Sequence, residues 1–201
     1  MKEVDLSELS RQMSNSALRV LEDLDFADIC RRVGGMVNIV GSLKTGLMMN
    51  KADIDLHIYT GEPMLKKSFA IMERLSENSA VKNFQYINLL NTREDCIEWH
   101  VWYEGADQKR WKLDIIHIRK GSYYDGFFEK VADRILHGLT PEIREAILKI
   151  KYALGEESDV KGIQVYQAVM ESGVRDYPEF LQWLEVHRTV DILEWMPGGE
   201  P

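Results

Sequence analysis

At 201 residues, 45% of them hydrophobic, the chain carries enough apolar material for one substantial domain, or a domain with a smaller appendage, and little of it reads as disordered. A net charge of −8 argues against a dedicated DNA or RNA binder, which needs basic surface to neutralise phosphates. A nucleotide bound through metal ions escapes that objection, because the cations bring the positive charge.

Leu6, Leu9 and Met13, then Val20, Leu21 and Leu24, recur at helical spacing and predict one or two helices ending at Gly34 and Gly35. A strand is expected at 37–40, a Gly-Ser turn at Gly41 and Ser42, and a second strand at 53–60. A Gly-Glu-Pro turn at 61–63 opens a helix whose apolar face is read as Leu65, Phe69, Met72 and Leu75. From Val81 the pattern alternates and turns aromatic at Phe84 and Tyr86, with a polar break at 91–95. The runs CIEWHVWYE and WKLDIIHI then read as two strands joined by the turn GADQKR. Beyond Gly121 the signals are helical. One stripe holds Tyr124, Phe127, Phe128, Val131 and Ile135, and the next holds Ile143, Ala146, Ile147, Ile150 and Leu154, opened by Thr140 and Pro141. Ile163, Tyr166, Val169 and Met170 mark a third helix, and Pro178 a fourth with Phe180, Leu181 and Leu184; the tail MPGGEP reads as frayed. A division near Gly121 gives an α/β catalytic domain over 1–120 and a helical domain over 121–201. Cys30 and Cys96 lack metal-ligand spacing and a secretory context, and no apolar stretch suits a signal peptide or membrane span. Buried reduced thiols and a cytoplasmic location, with no membrane partner, are therefore expected.

Residues 41–56, GSLKTGLMMNKADIDL, are the most informative part of the chain. In a strand, alternate side chains share a face, so Asp53 and Asp55 point one way while Ile54 and Leu56 point into the core. Asp114, between Leu113 and Ile115, is costly to bury unless something pairs with it. These residues fit a three-carboxylate site for two divalent cations about 3.5–4 Å apart, able to bind both the attacking and leaving oxygens of a phosphoryl transfer. Magnesium, which prefers oxygen ligands and keeps several waters, suits three aspartates and substrate phosphates; manganese could replace it. Gly41, lacking a side chain, lets backbone amides approach phosphate oxygens, and the Ser42 hydroxyl can donate to one.

The segment resembles the signature of the DNA polymerase beta-like nucleotidyltransferase superfamily, a Gly-Ser pair followed about ten residues later by an Asp-any-Asp pair. Gly46 falls where small bacterial members often have a glycine, Lys44 is the one basic residue between the two glycines, and KLDIIHI matches the strand of the third aspartate at Asp114. The resemblance implies an α+β fold, a nucleotidyltransferase-like mixed sheet flanked by helices and followed by a C-terminal helical bundle. It also implies Asp53, Asp55 and Asp114 as catalytic metal ligands, and Gly41, Ser42 and Lys44 as nucleotide-binding residues.

Plainer readings exist for several of these positions. Asp114 could pair with Lys112 or Arg110 in a surface hairpin, with Glu98 on the neighbouring strand as its substitute in the metal site. His57 could reach the substrate or sit on an exposed strand. Lys149, Lys151 and Lys161 could meet a triphosphate or only solubilise helix faces. Tyr166 reads as core before it reads as a base-stacking residue, and Trp99, Trp102, Tyr103 and Trp111 read as packing between strands. The expected activity is transfer of a nucleoside monophosphate, AMP from ATP, to a hydroxyl of a small-molecule or protein acceptor, with release of pyrophosphate. Net charge disfavours a nucleic-acid acceptor. The alternative is a nucleotidyltransferase-fold binding module, antitoxin-like or a nucleotide sensor, with little or no catalysis.

Overall fold

The computed structural model describes residues 4–62, 64–187 and 194–198. By contacts the chain forms two compact units, each assembled from more than one stretch: Asn15–Val40 with Ala52–Phe128, and Met1–Ser14 with Gly41–Lys51 and Glu129–Pro201.

The first unit is built on a mixed five-stranded sheet. Its strands are β1 (Met36–Ile39), β2 (Asp53–Tyr59), β3 (Val81–Asn88), β4 (Cys96–Glu104) and β5 (Arg110–Ile118), in the order β1-β2-β5-β4-β3. Only β2 and β5 run parallel; the other three pairings are antiparallel. Alternation along the central strands separates two faces. Ile54, Leu56 and Ile58 on β2 and Leu113 and Ile115 on β5 are fully buried on one, joined there by Ile97 and Val101 of β4. Trp99, Tyr103 and Trp111 lie on this buried face as expected, with the Trp99 indole donating to Ser68 Oγ at 2.9 Å. Trp102 is the exception: it is in register with Lys112 on the opposite face, half-exposed, with the Arg110 guanidinium 5.8 Å from its ring.

The expected N-terminal helices are α1 (Leu6–Asp23) and α2 (Phe26–Arg32), separated by Asp25 in a left-handed conformation. Gly35 follows them at a close approach: a Cβ there would stand 2.9 Å from the Cys30 carbonyl oxygen and 3.1 Å from Thr60 Cγ2. Because the first neighbour is backbone and cannot swing aside, Gly35→Ala is expected to cost about 1–3 kcal/mol, read as a lower urea midpoint. Both cysteines are buried and free, and burial pushes each thiol up to about 12.

Between β2 and β3 lies a helix, α4 in chain order (Met64–Ser76), whose buried face includes Met72 and Leu75 as expected but not Leu65 and Phe69. Met64, Ser68, Ile71, Met72 and Leu75 face inward, whereas Leu65 is 42% and Phe69 46% exposed. Phe69 sits at the edge of the buried face, its ring packed against Tyr86 and Trp99 at 5.1 and 5.0 Å. Pro63, expected in the turn that opens this helix, lies outside the described residues, as does the end of the tail read as frayed.

The second unit is helical. A five-residue helix, α3 (Gly41–Thr45), takes the place of the expected Gly-Ser turn, and α5 (Phe127–Gly138), α6 (Pro141–Leu154), α7 (Gly162–Glu171) and α8 (Tyr177–Val186) follow in the C-terminal part. Thr140 caps α6, its hydroxyl accepting from Ile143 N at 3.3 Å, and Asp176 caps α8 by accepting from Glu179 N at 2.9 Å. Phe180 and Trp183 form the buried face of α8, while Leu181 is exposed. No helix among the described residues is long and apolar enough to cross a membrane.

Candidate active site

The sheet brings the three aspartates to one face. Asp55 and Asp114 are register partners on the parallel pair β2 and β5, and Asp53 pairs with Lys112 two residues along. Residues in register on adjacent strands point the same way, with backbones about 4.8 Å apart. Val40 N donates to the Asp55 carbonyl at 3.1 Å, which ties the residue after β1 to β2 at Asp55. All three aspartates are half-buried. Farther along the same face the surface closes. His57 is 4% exposed with Phe128 edge-on at 5.6 Å, and Tyr59 buries with Cys96 and Ile118. His57 is thus a packed residue, because Phe128 in the first turn of α5 covers this end of β2.

Asp114 has partners. Lys112 Nζ lies 2.8 Å from its Oδ1, the pairing foreseen as the plainer reading, and His100 Nδ1 bonds the same oxygen from β4. The other ring nitrogen of His100 meets Glu98 Oε1 at 2.9 Å. Glu98, His100 and Trp102 alternate on β4 and therefore share the face of Asp114. His100 carried little signal in the sequence, since only the β4–β5 register places it opposite Asp114.

Hard carboxylate oxygens from two neighbouring strands are a donor set suited to Mg²⁺. The register brings their backbones together on one face, and among the described residues no three His, Cys, Asp or Glu side chains already converge as a metal site.

Gly41, Ser42 and Lys44 belong to the helical unit. Gly41 sits at φ +60°, where a side chain would be strained, which is the residue-level reason for glycine at this entry. Ser42 Oγ is 2.9 Å from Tyr166 Oη and accepts from Lys151 Nζ at 2.9 Å. The same ammonium reaches the Leu47 carbonyl at 2.5 Å. Gly46 is fastened through its carbonyl, which accepts from Arg144 at 2.6 Å and from Ser10 Oγ at 3.0 Å. Tyr166 is buried as expected, but its hydroxyl serves this polar cluster. Of the three candidate lysines, Lys151 touches Ser42; Lys149 pairs with Glu145 at 2.5 Å on an exposed helix face, and Lys161 supplies the backbone cap of α7. Lys44 is exposed, 3.8 Å from Asp133.

No protein-family model matches the chain, and no curated protein matches it in sequence. Solved structures similar to it include the poly(A) polymerase complex of GLD-2 with GLD-3, at a TM-score of 0.54 and 13% identity over 86% of this chain and 61% of that one. The Cid1 poly(U) polymerase with MgGTP bound has a TM-score of 0.55 at 13% identity, covering 82% of this chain and 54% of the other. For mtPAP in complex with UTP the values are 0.56 and 13%, over 84% and 42%. This chain spans roughly half the length of these structures. At such identity the likeness is one of fold, and the fold is the nucleotidyltransferase-like α+β fold that residues 41–56 and Asp114 resemble.

Proposed function

We propose that the chain is a metal-dependent nucleotidyltransferase. It would move a nucleoside monophosphate, AMP from ATP, to an acceptor hydroxyl. The acceptor oxygen bonds to the α-phosphorus, the bond from that phosphorus to the bridging oxygen breaks, pyrophosphate departs, and the hydroxyl proton is removed. The observation that carries the reading is the register of Asp55 with Asp114 on parallel neighbouring strands, with Asp53 on the same face.

Asp53, Asp55 and Asp114 would hold the divalent cations, two Mg²⁺ ions in this reading; when bound, these supply charge neutralisation for the attacking and leaving oxygens. Asp114 would also help take the acceptor's proton. Gly41, Ser42 and Lys44 are proposed as nucleotide-binding residues, and the contact with Ser42 adds Lys151. Replacing Lys151 with Met should weaken ATP binding roughly tenfold to a hundredfold, the equivalent of one charge-assisted hydrogen bond, and leave AMP binding unchanged. Equilibrium binding of the two nucleotides checks this; equal losses for both would deny Lys151 a role on the β- and γ-phosphates.

The similar structures are described as poly(A) and poly(U) polymerases, which weakens the case against a nucleic-acid acceptor. Net charge sums the whole surface, whereas an acceptor meets one patch of it, so an RNA 3′-hydroxyl stands beside small molecules and protein side chains as a candidate. Incubation with labelled ATP, GTP, CTP or UTP, Mg²⁺ and a cell extract tests the reading through the appearance of a labelled acceptor. One observation favours a binding module instead: Asp114 already carries two internal partners. Mg²⁺-dependent nucleotide binding without any transfer would select that reading.

A further inference from the structure

Resting on the metal-site reading above, we infer that His100, held by Glu98, is a positioning residue for Asp114. The arrangement is a chain of three side chains on the half-buried face of β4 and β5. Glu98 Oε1 meets His100 Nε2 at 2.9 Å, and His100 Nδ1 meets Asp114 Oδ1. Glu98 and His100 are two residues apart on β4, and His100 is the register partner of Asp114, so the backbone itself delivers all three to one place.

What singles out this chain is which oxygen it uses. His100 and Lys112 both engage Oδ1 of Asp114, approaching from different strand positions. A carboxylate held twice through one oxygen cannot rotate freely, and its Oδ2 is left to serve a ligand. Lys112 alone would give a weak orientation, because an ammonium on a flexible four-carbon stem is a point charge without directional preference. The imidazole is rigid, and Glu98 fixes its ring from the far side. The side chains of His100, Glu98 and Asp114 are 14%, 25% and 24% exposed, so water competes only partly with these contacts. Partners that orient a metal-ligating side chain in this way typically change metal affinity or activity by about 10–100-fold when removed.

The test uses Mn²⁺ alone, titrated into the full chain and its variants by calorimetry or by loss of the free-ion paramagnetic signal. His100→Leu removes both contacts and is expected to weaken Mn²⁺ binding about tenfold or more. His100→Asn places an amide nitrogen near the position of Nδ1 and should restore affinity to within about threefold of the original chain, although it loses Glu98. Glu98→Gln should fall between the two, and all three variants should melt within a few degrees of the parent. Equal Mn²⁺ affinity in His100→Leu and the parent, or equal weakening in the Leu and Asn variants with a lowered melting point, overturns the positioning role. Asp114→Asn distinguishes the two levels of the argument: parent-like Mn²⁺ binding there removes the metal-site reading itself, whereas loss there with parent-like His100→Leu removes only the role of His100.

Discussion

Changing Asp55 to Asn, and Asp53 to Asn separately, is expected to lower nucleotidyl transfer by roughly a thousandfold or more, the rate equivalent of the several kcal/mol that positioned divalent cations supply. The fold should survive both changes. Ile54, Leu56 and Ile58, fully buried on the opposite face, carry the packing of β2, and the link from Val40 to Asp55 uses the backbone carbonyl rather than the carboxylate. Asn keeps the shape of Asp while removing the charge that a divalent cation requires. Transfer of label from the four nucleoside triphosphates in the presence of Mg²⁺ measures the loss, and circular dichroism with a thermal melt checks that the sheet is intact. A double variant that transfers at the parent rate would put the chemistry elsewhere in the chain. Chelation of divalent cations should reproduce the effect in the parent and have none in the double variant.

The pair Asp53 and Asp55 was legible because strand periodicity is local: two carboxylates flanking Ile54, after a Gly-Ser entry, fix a face without knowledge of any neighbour. Asp114 was legible one level less directly, as a charge interrupting an apolar strand, and its register with Asp55 needed the parallel pairing of strands separated by α4, β3 and β4. The partners of Ser42 were harder still. Lys151 lies 109 residues away and Tyr166 lies 124, on helices where a lysine and a tyrosine have ordinary reasons to occur. The error at α4 has a different cause. Leu65 and Phe69 continue the apolar stripe of Met72 and Leu75 as well as Met64, Ser68 and Ile71 do, so helical periodicity alone does not choose between the two faces. His100 combined both difficulties, since a lone histidine on an amphipathic strand announces neither its partner across the ladder nor Glu98 beside it.

His117 is expected to give the protein a stability that falls on mild acidification, independently of the carboxylate face. It lies on β5 among the core-facing residues, fully buried, with Nε2 2.9 Å from Thr60 Oγ1 and no partner for Nδ1 among the described residues. A protonated imidazole would need acceptors at both nitrogens. Burial, reinforced by the nearby Lys67 ammonium and only partly opposed by Glu62, lowers the ring from 6.5 to about 4. The sign follows from proton counting. Between about pH 6.5 and 4 the unfolded chain binds a proton that the native protein refuses, so stability drops as pH falls through that window and levels off below it. The drop attributable to this one residue is about 3 kcal/mol, since each pKa unit corresponds to about 1.4 kcal/mol. His117→Gln, which retains a hydrogen-bonding reach toward Thr60 but cannot titrate, should remove that part of the slope. Urea unfolding at half-unit steps from pH 7 to pH 4 makes the comparison, because acidic groups elsewhere contribute equally to both curves and cancel in the difference. Parallel curves for the two proteins would mean that His117 accepts its proton in the folded state at little cost, and that the buried end of β5 is more open to water than its packing indicates.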